Sequence, residues 1–214
     1  MIKLEKTWEF GWEAAIRGCR NPMNSWDKSD TRFNWEIGRT VIGKNDLNLM
    51  RKLAKAGDDH AKYLRMINVT VDITAPLYWW KEFDTYKVGT VANSCSTMHK
   101  IQAKEFTFDD FSHEHLYSTL GESYEAMDCL TDIINCLNKY RQLYLDTKDK
   151  MWWWQMIQLL PSSYNQKRTV QLNYQVLKNM YFARKHHKLD EWRTFCAWCE
   201  SLPYFKEIIL EANN

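Results

Sequence analysis

Ile67-Asn68-Val69-Thr70-Val71-Asp72-Ile73-Thr74 alternates apolar and polar side chains without a break, and most of its apolar members are β-branched. A period of two with that composition is the signature of a strand with one buried face. Thr74 is placed to cap the next segment and Pro76 suits an early helical position, so strand should turn into helix across Ala75 to Phe83, which includes Trp79-Trp80. Beyond Lys87 the run Val88-Gly89-Thr90-Val91-Ala92-Asn93-Ser94-Cys95-Ser96 is small and polar. Residues of that size suit a loop whose backbone lies close to a ligand.

Outward from this stretch the chain reads mostly as helix. Thr7 to Arg20 is expected to form a first helix, followed by a loop from Asn21 to Asn34. Asn45-Asp46 opens a stretch to Met66 with Leu47, Met50, Leu53 and Ala54 at helical spacing, and Gly57 is a break or kink. Tyr124 to Tyr144 places Ala126, Leu130, Ile133, Ile134, Leu137 and Tyr140 on one face of a long core helix. Asp149 to Leu160 carries Trp152-Trp153-Trp154 and is stopped by Pro161 and the turn-like Ser162-Ser163-Tyr164-Asn165. Thr169 to His186 has a stripe through Val170, Tyr174, Leu177 and Tyr181. At about 100° per residue, Asn173 and Arg184 would project to nearly the same side of that helix. Asp190 to Ser201 reads as the last helix. The class expected is α+β, helix-rich, a single domain over residues 1–214, because no linker-like stretch offers itself and one core suffices at this length.

Composition narrows the functional classes. The chain has 11 Trp, 11 Tyr and 9 Phe but 7 Gly and 4 Pro, which argues against disorder or low complexity. So many aromatics point to a large subunit interface, an aromatic ligand pocket, or both. With 29 Lys plus Arg against 27 Asp plus Glu, the net charge of +2 gives no footprint for a nucleic-acid polymer and no polybasic membrane signal. No apolar run reaches the roughly 18 residues of a membrane span, and the start Met1-Ile2-Lys3-Leu4-Glu5-Lys6 is charged, so a soluble, cytoplasmic protein is expected. Six irregularly spaced cysteines suit reduced thiols. Cys196-Ala197-Trp198-Cys199 has no second pair nearby, and the histidines of His113-Glu114-His115 and His186-His187 would point to different sides of a helix, so no metal site is expected.

The glycine-rich, nucleophile-elbow and zinc-protease motifs are absent. From His60 through Ala75-Pro76 and Lys81-Glu82-Phe83-Asp84-Thr85-Tyr86-Lys87 to Thr90, Asn93 and Ser96, the chain instead resembles the flavin-dependent thymidylate synthases. That family carries an A-P segment and an aromatic stretch leading into R-H-R-x-x-S-x-N-x-x-S-x-R. Counted from Pro76, Thr85-Tyr86-Lys87 falls at R-H-R and Thr90 at the first Ser; with one extra residue near Ala92, Asn93, Ser96 and Met98 fall at the Asn, second Ser and closing Arg. Leu160-Pro161, Asn173, Asn179 and Arg184 match a second pattern of the family, R-x-x-L-P followed by N-x-R, N and R.

The resemblance implies a helix-rich fold around a twisted antiparallel or mixed sheet, a homotetramer with FAD at subunit interfaces, and methylation of dUMP with methylenetetrahydrofolate and NADPH. Arg184 matches the arginine that binds the pyrimidine and favours ionisation at N3; a guanidinium there lowers the cost of negative charge on the imide and activates C5. Glu82, Phe83, Asp84 and Thr85 match one nucleotide-contacting stretch, and Ser94, Cys95, Ser96, Thr97 and Met98 match the stretch supplied by another subunit. The flavin positions are Thr85, Tyr86, Lys87, Ser94, Asn173, Gln175 and Asn179. The chain departs from the family where Arg-His-Arg is Thr85-Tyr86-Lys87, the closing Arg is Met98, the Glu after Asn93 is Ser94, and the Arg before Leu-Pro is Ile157. Each lost arginine removes charge-assisted bonds of about 1.5–3 kcal/mol, and Lys87, His99, Lys100, Lys167 and Arg168 are the cations near enough in sequence to compensate.

Plainer readings stand beside these. Arg184 also suits a salt-bridged helix surface, Thr90, Asn93 and Ser96 suit loop capping, Trp79-Trp80 and Trp152 to Trp154 suit core or interface, and Glu82 and Asp84 suit solvent. Two further outcomes remain open at this level: a multimeric nucleotide- or protein-binding scaffold that lost catalysis with the arginines, and hydroxymethylation in place of methylation.

Overall fold

Strand and helix alternate in an order set by where glycine, proline and side-chain caps interrupt the chain. A computed structural model describes residues 2–117 and 125–212. Its elements are β1 (Lys3–Phe10), α1 (Trp12–Arg20), β2 (Arg32–Asn34), β3 (Arg39–Val41), α2 (Lys44–Lys55), β4 (Asn68–Pro76), α3 (Leu77–Phe83), β5 (Val91–Ser94), α4 (Thr97–Lys100), α5 (Ala126–Thr147), α6 (Lys150–Leu159), β6 (Asn165–Asn173), α7 (Tyr174–Arg184) and α8 (Asp190–Ser201), with a π-helical turn over Lys206–Leu210. The class is α+β, rich in helix, with antiparallel strands. One sheet has the order β1-β4-β6-β5, and β2 and β3 form a separate antiparallel hairpin.

β4 is the strand the alternation predicts: Val69, Val71, Ile73 and Ala75 are all buried. α3 follows it directly, but Thr74 stays in the strand and Pro76 ends it. The first free N–H groups of the helix, from Leu77 and Tyr78, donate to the carbonyls of Tyr164 and Ser162, both at 3.0 Å. Backbone thus replaces the expected side-chain cap.

Five expectations need correction. Residues from Thr7 to Phe10 are strand, not helix, because Gly11 turns the chain at φ +95° before α1 can begin; a Cβ there would stand 2.1 Å from the Met66 carbonyl oxygen. Thr169 to Asn173 is strand as well, with Val170 and Leu172 buried in alternation. Helix α7 starts only at Tyr174, where the Asn173 side chain accepts from the Val176 N–H at 3.0 Å. Asn173 is therefore a cap outside the helix, and its projection beside Arg184 does not hold. The small-residue run contains the exposed strand β5. In the expected loop from Asn21 to Asn34, β2 takes the last three residues. α2 ends at Lys55 ahead of Gly57, at φ +105°, as the break suggested. α5 begins at Ala126 and α8 has the expected bounds; the expected start of α5 at Tyr124 lies outside the described residues.

The chain divides into two compact units. One comprises Met1–Lys3, Ile73–Thr85 and Asn93–Arg168. Its core sets Leu130, Ile134 and Leu137 of α5 and Met156 of α6 beside Ile101, Phe106 and Phe111. Trp152 stacks on Tyr140, and Trp79, Trp80 and Phe83 form a buried triad with centroids 4.9–5.1 Å apart. Trp79-Trp80 is thus core, whereas Trp154 is exposed.

The other comprises Leu4–Asp72, Tyr86–Ala92 and Thr169–Asn214. Trp12 meets Tyr174 and Tyr204 edge-on, and Leu177, Trp192, Phe195 and Phe205 are buried in the same unit. Cys196 and Cys199 are buried on α8, where burial pushes the Cys196 thiol up to about 11 and the Cys199 thiol well above its usual value. Among the described residues, no cluster of three or more His, Cys, Asp or Glu could hold a metal, and no helix is long and apolar enough to cross a membrane.

A buried ion pair organises the start of α2. Arg20 Nη2 lies 2.7 Å from Asp46 Oδ1, and the Asp46 carboxylate also accepts from Ser29 Oγ and from the N–H groups of Asp30 and Thr31. Asp30 in turn accepts from the N–H groups of Asn45 and Asp46, capping the helix. Burial raises the Asp46 carboxyl, but the bonds from Thr31, Ser29, Arg20 and Asp30 outweigh it and hold the group below its ordinary value of 3.8. The resulting stability is present above that value and is lost as pH falls through the lower folded-state value. Asp46→Ala, which leaves Arg20 buried without its partner, should cost about 3–5 kcal/mol in urea unfolding at pH 7. The gap from wild type should narrow below pH 4.

Candidate functional site

Asp84 and Thr85 follow the C-terminus of α3, and β6 begins near them in the first unit. Arg168 on β6 donates from Nη1 to Asp84 Oδ1 at 2.7 Å and from Nε to Gln166 Oε1 at 3.0 Å. Its guanidinium carbon lies 4.1 Å from the centroid of the Trp80 ring, and the side chain is only 15% exposed. The Trp80 indole N–H donates to the Gln166 carbonyl at 2.9 Å. Arg168 is thereby fixed as the partner of Asp84 by stacking and two hydrogen bonds. Thr85 Oγ1 donates to the Glu82 carbonyl, and the Phe83 ring lies in the core triad, so Phe83 can reach a ligand only through its backbone.

β5 leads into α4 beside β6. The Cys95 N–H donates to the Lys167 carbonyl at 2.9 Å, and Gln166 Nε2 donates to the Cys95 carbonyl at 3.0 Å. Ser96 caps α4 by accepting from the His99 N–H, and the Met98 carbonyl accepts from the Trp153 indole. Cys95, Ser96, Thr97, Lys100, Lys104 and Lys167 line a cleft of about 310 Å³. Lys104 pairs with Asp110, while the Lys100 side chain has no ion pair among the described residues. Ser94 and Met98 are exposed nearby.

In the second unit, Arg184 at the end of α7 donates from Nε to the Tyr86 hydroxyl at 2.9 Å. Its guanidinium carbon lies 4.8 Å from the Trp192 ring centroid and 5.5 Å from that of Tyr86, and the two rings meet edge-on. Tyr86 and Trp192 thus hold one cation in a fixed plane. At the other end of α7, Gln175 is buried, donates to Asn179 Oδ1 at 3.2 Å, and has a buried Oε1 with no hydrogen-bond partner among the described residues. Gly89, at φ +79°, lies against Asn173 and Val176; a Cβ there would stand 3.0 Å from the valine. Thr90 Oγ1 donates to the Tyr86 carbonyl, the capping role open to it from sequence, while Lys87 is exposed.

No family model matches the sequence, and no curated protein is similar to it in sequence. Solved structures are similar in three dimensions. Flavin-dependent thymidylate synthase ThyX from Helicobacter pylori, complexed with FAD and dUMP, aligns with a TM-score of 0.67 at 15% identity, over 98% of this chain and 99% of that one. A second structure of that enzyme with FAD and dUMP gives 0.67 at 14% identity over 99% of both chains. The UMP/dUMP methylase PolB from Streptomyces cacaoi, bound with 5-Br UMP, gives 0.63 at 14% identity over 99% of this chain and 95% of that one. The fold is that of the flavin-dependent thymidylate synthases.

On this thymidylate synthase fold, the positions singled out from sequence form local groups. Glu82 to Thr85 and Ser94 to Met98 lie in the first unit; Tyr86, Lys87, Asn173, Gln175, Asn179 and Arg184 lie in the second. Tyr86 is brought to Arg184, and Gln175 to Asn179. Sequence reasoning missed Trp192 as a support for Arg184 and missed the pairing of Arg168 with Asp84, which are 84 positions apart. The second unit's donor set fits one edge of a flavin: the orphaned Gln175 oxygen can accept from a ring imide N–H, and Asn179 adds an amide. In a double-mutant cycle, Tyr86→Phe and Arg184→Met should show a coupling of about 1 kcal/mol in urea unfolding, and additive effects would refute the pairing.

Proposed function

We propose that this chain is a divergent flavin-dependent enzyme of the thymidylate synthase type that methylates C5 of a pyrimidine nucleotide such as dUMP, with methylenetetrahydrofolate as one-carbon donor and NADPH as reductant. The observation that carries this reading is Arg184, matched in sequence to the pyrimidine-binding arginine and held in place by Tyr86 and Trp192. The whole-chain likeness to enzymes solved with FAD, dUMP and 5-Br UMP supports it.

In this reading Arg184 stabilises negative charge developing on the pyrimidine imide. Electron density is thereby raised at C5, the carbon that takes up the one-carbon unit. A fixed guanidinium favours this step because it needs no reorganisation as the charge appears. Tyr86, Lys87, Asn173, Gln175 and Asn179, with Thr85 and Ser94, would hold FAD, which when bound supplies hydride chemistry. Glu82, Asp84 and Thr85, and the Phe83 backbone, would contact the nucleotide. Ser94, Cys95, Ser96, Thr97 and Met98 would be contributed by a neighbouring subunit of a homotetramer. Arg168 is committed to Asp84, so the phosphate falls to Ser96, Thr97 and Lys100 of the cleft, which provide hydroxyl donors and one ammonium in place of the family's arginines.

The commitment of Arg168 also favours a second reading, a nucleotide-binding scaffold without turnover. Release of tritium from 5-tritiated dUMP in the presence of FAD, NADPH and methylenetetrahydrofolate separates the two. Turnover should release tritium, Arg184→Gln should lower kcat about 10²- to 10³-fold, and Lys100→Ala should raise KM for the nucleotide with a smaller change in kcat. Nucleotide binding with no tritium release from dUMP or UMP would establish the scaffold instead.

A further inference from the structure

A cleft of about 890 Å³ in the second unit contains none of the residues assigned above to nucleotide or flavin. Trp8 and Phe10 of β1, Phe33 of the hairpin and Tyr204 beyond α8 supply its aromatic walls. Trp8 is 61% exposed, Phe10 39% and Phe33 37%. Large apolar rings gathered around one concavity, rather than scattered, mark a surface that meets something other than water.

The cleft's charge is one-sided: Glu9, Glu13 and Glu207 line it against Arg39. Glu13 accepts from Thr40 Oγ1, whereas Glu9 and Glu207 make no hydrogen bond or ion pair among the described residues. Both carboxylates act on the same buried phenol, Tyr174, helping to raise its pKa after the larger effect of burial.

Tyr204 adds an independent observation. It sits at φ +57°, a left-handed conformation costly for so bulky a residue. Its hydroxyl accepts from the Ile42 N–H at 3.1 Å, and its ring meets Trp12 edge-on at 5.5 Å, so the surrounding structure holds it there. Retained strain of this kind concentrates at ligand sites.

We propose that this cleft binds a planar organic cation, its ring among Trp8, Phe10, Phe33 and Tyr204 and its charge facing Glu9 and Glu207. A phosphorylated or carboxylated ligand would meet three carboxylates and one arginine. A neutral ring would gain stacking but leave both carboxylates without a counter-charge. A delocalised cation satisfies both features of the wall, since aromatic faces and carboxylates attract the same charge. The cleft has ample room for two or three fused rings.

Three probes of one shape test this on the full chain at pH 8: 1-methylquinolinium, quinoline, which is uncharged at that pH, and quinoline-3-carboxylate. Calorimetric titration should show the cation binding about tenfold more tightly than quinoline and the carboxylate binding most weakly. E9Q/E207Q should abolish the preference while quinoline still binds, and W8A should weaken both. R39Q should tighten cation binding, a gain that misfolding cannot produce. Quinoline binding as tightly as the cation, no cation binding to wild type at millimolar concentration, or a preference unchanged in E9Q/E207Q would each overturn the proposal. None of these outcomes depends on the tritium-release result.

Discussion

Four side chains on one face of β4, Val69, Val71, Ile73 and Ala75, are removed from water almost completely. Full burial of an aliphatic side chain contributes about 1.5–3 kcal/mol, and a one-residue slip in register would turn the whole row outward. That constraint fixes where the strand ends and therefore where α3 begins. The Trp79-Trp80-Phe83 triad follows from the placement of α3, and Trp80 supplies the ring on which Arg168 lies. The geometry around Asp84 is thus a consequence of the strand's alternation one helix earlier.

The allocation of arginines separates this chain from the pattern it resembles. Arg168 is bound to a carboxylate, an amide and an indole face, leaving it little scope to serve an anion. Arg184 is held by a phenol and an indole. The two residues carry the same side chain in different surroundings, which the near-neutral net charge of +2 conceals.

Local periodicity made β4 and α8 readable, since each carries its signal within a dozen residues. It misled at Lys3–Phe10 and Asn165–Asn173, where strand leads straight into helix and a window spanning the junction averages two periods into one. The deciding details there are a glycine pressed against a distant carbonyl and an asparagine capping its own helix, neither of which is an apolar pattern. The candidate site was readable as a set of positions but not as partnerships. Tyr86 stands where the family has histidine and meets Arg184 across 98 positions, and Trp192 reaches it from the next helix. Only the folded chain brings such residues together. The carboxylate and aromatic wall of the second cleft was equally hidden, being assembled from β1, a hairpin and the chain beyond α8.

The central claim is that this chain handles a flavin beside a pyrimidine nucleotide. The visible absorption spectrum of the full-length protein, recorded as purified and after adding FAD with and without dUMP or UMP, tests it most directly. The account predicts flavin absorbance that remains with the protein through gel filtration and a band that shifts when the nucleotide is added. A colourless protein that retains no added FAD and shows no spectral change with either nucleotide would contradict it.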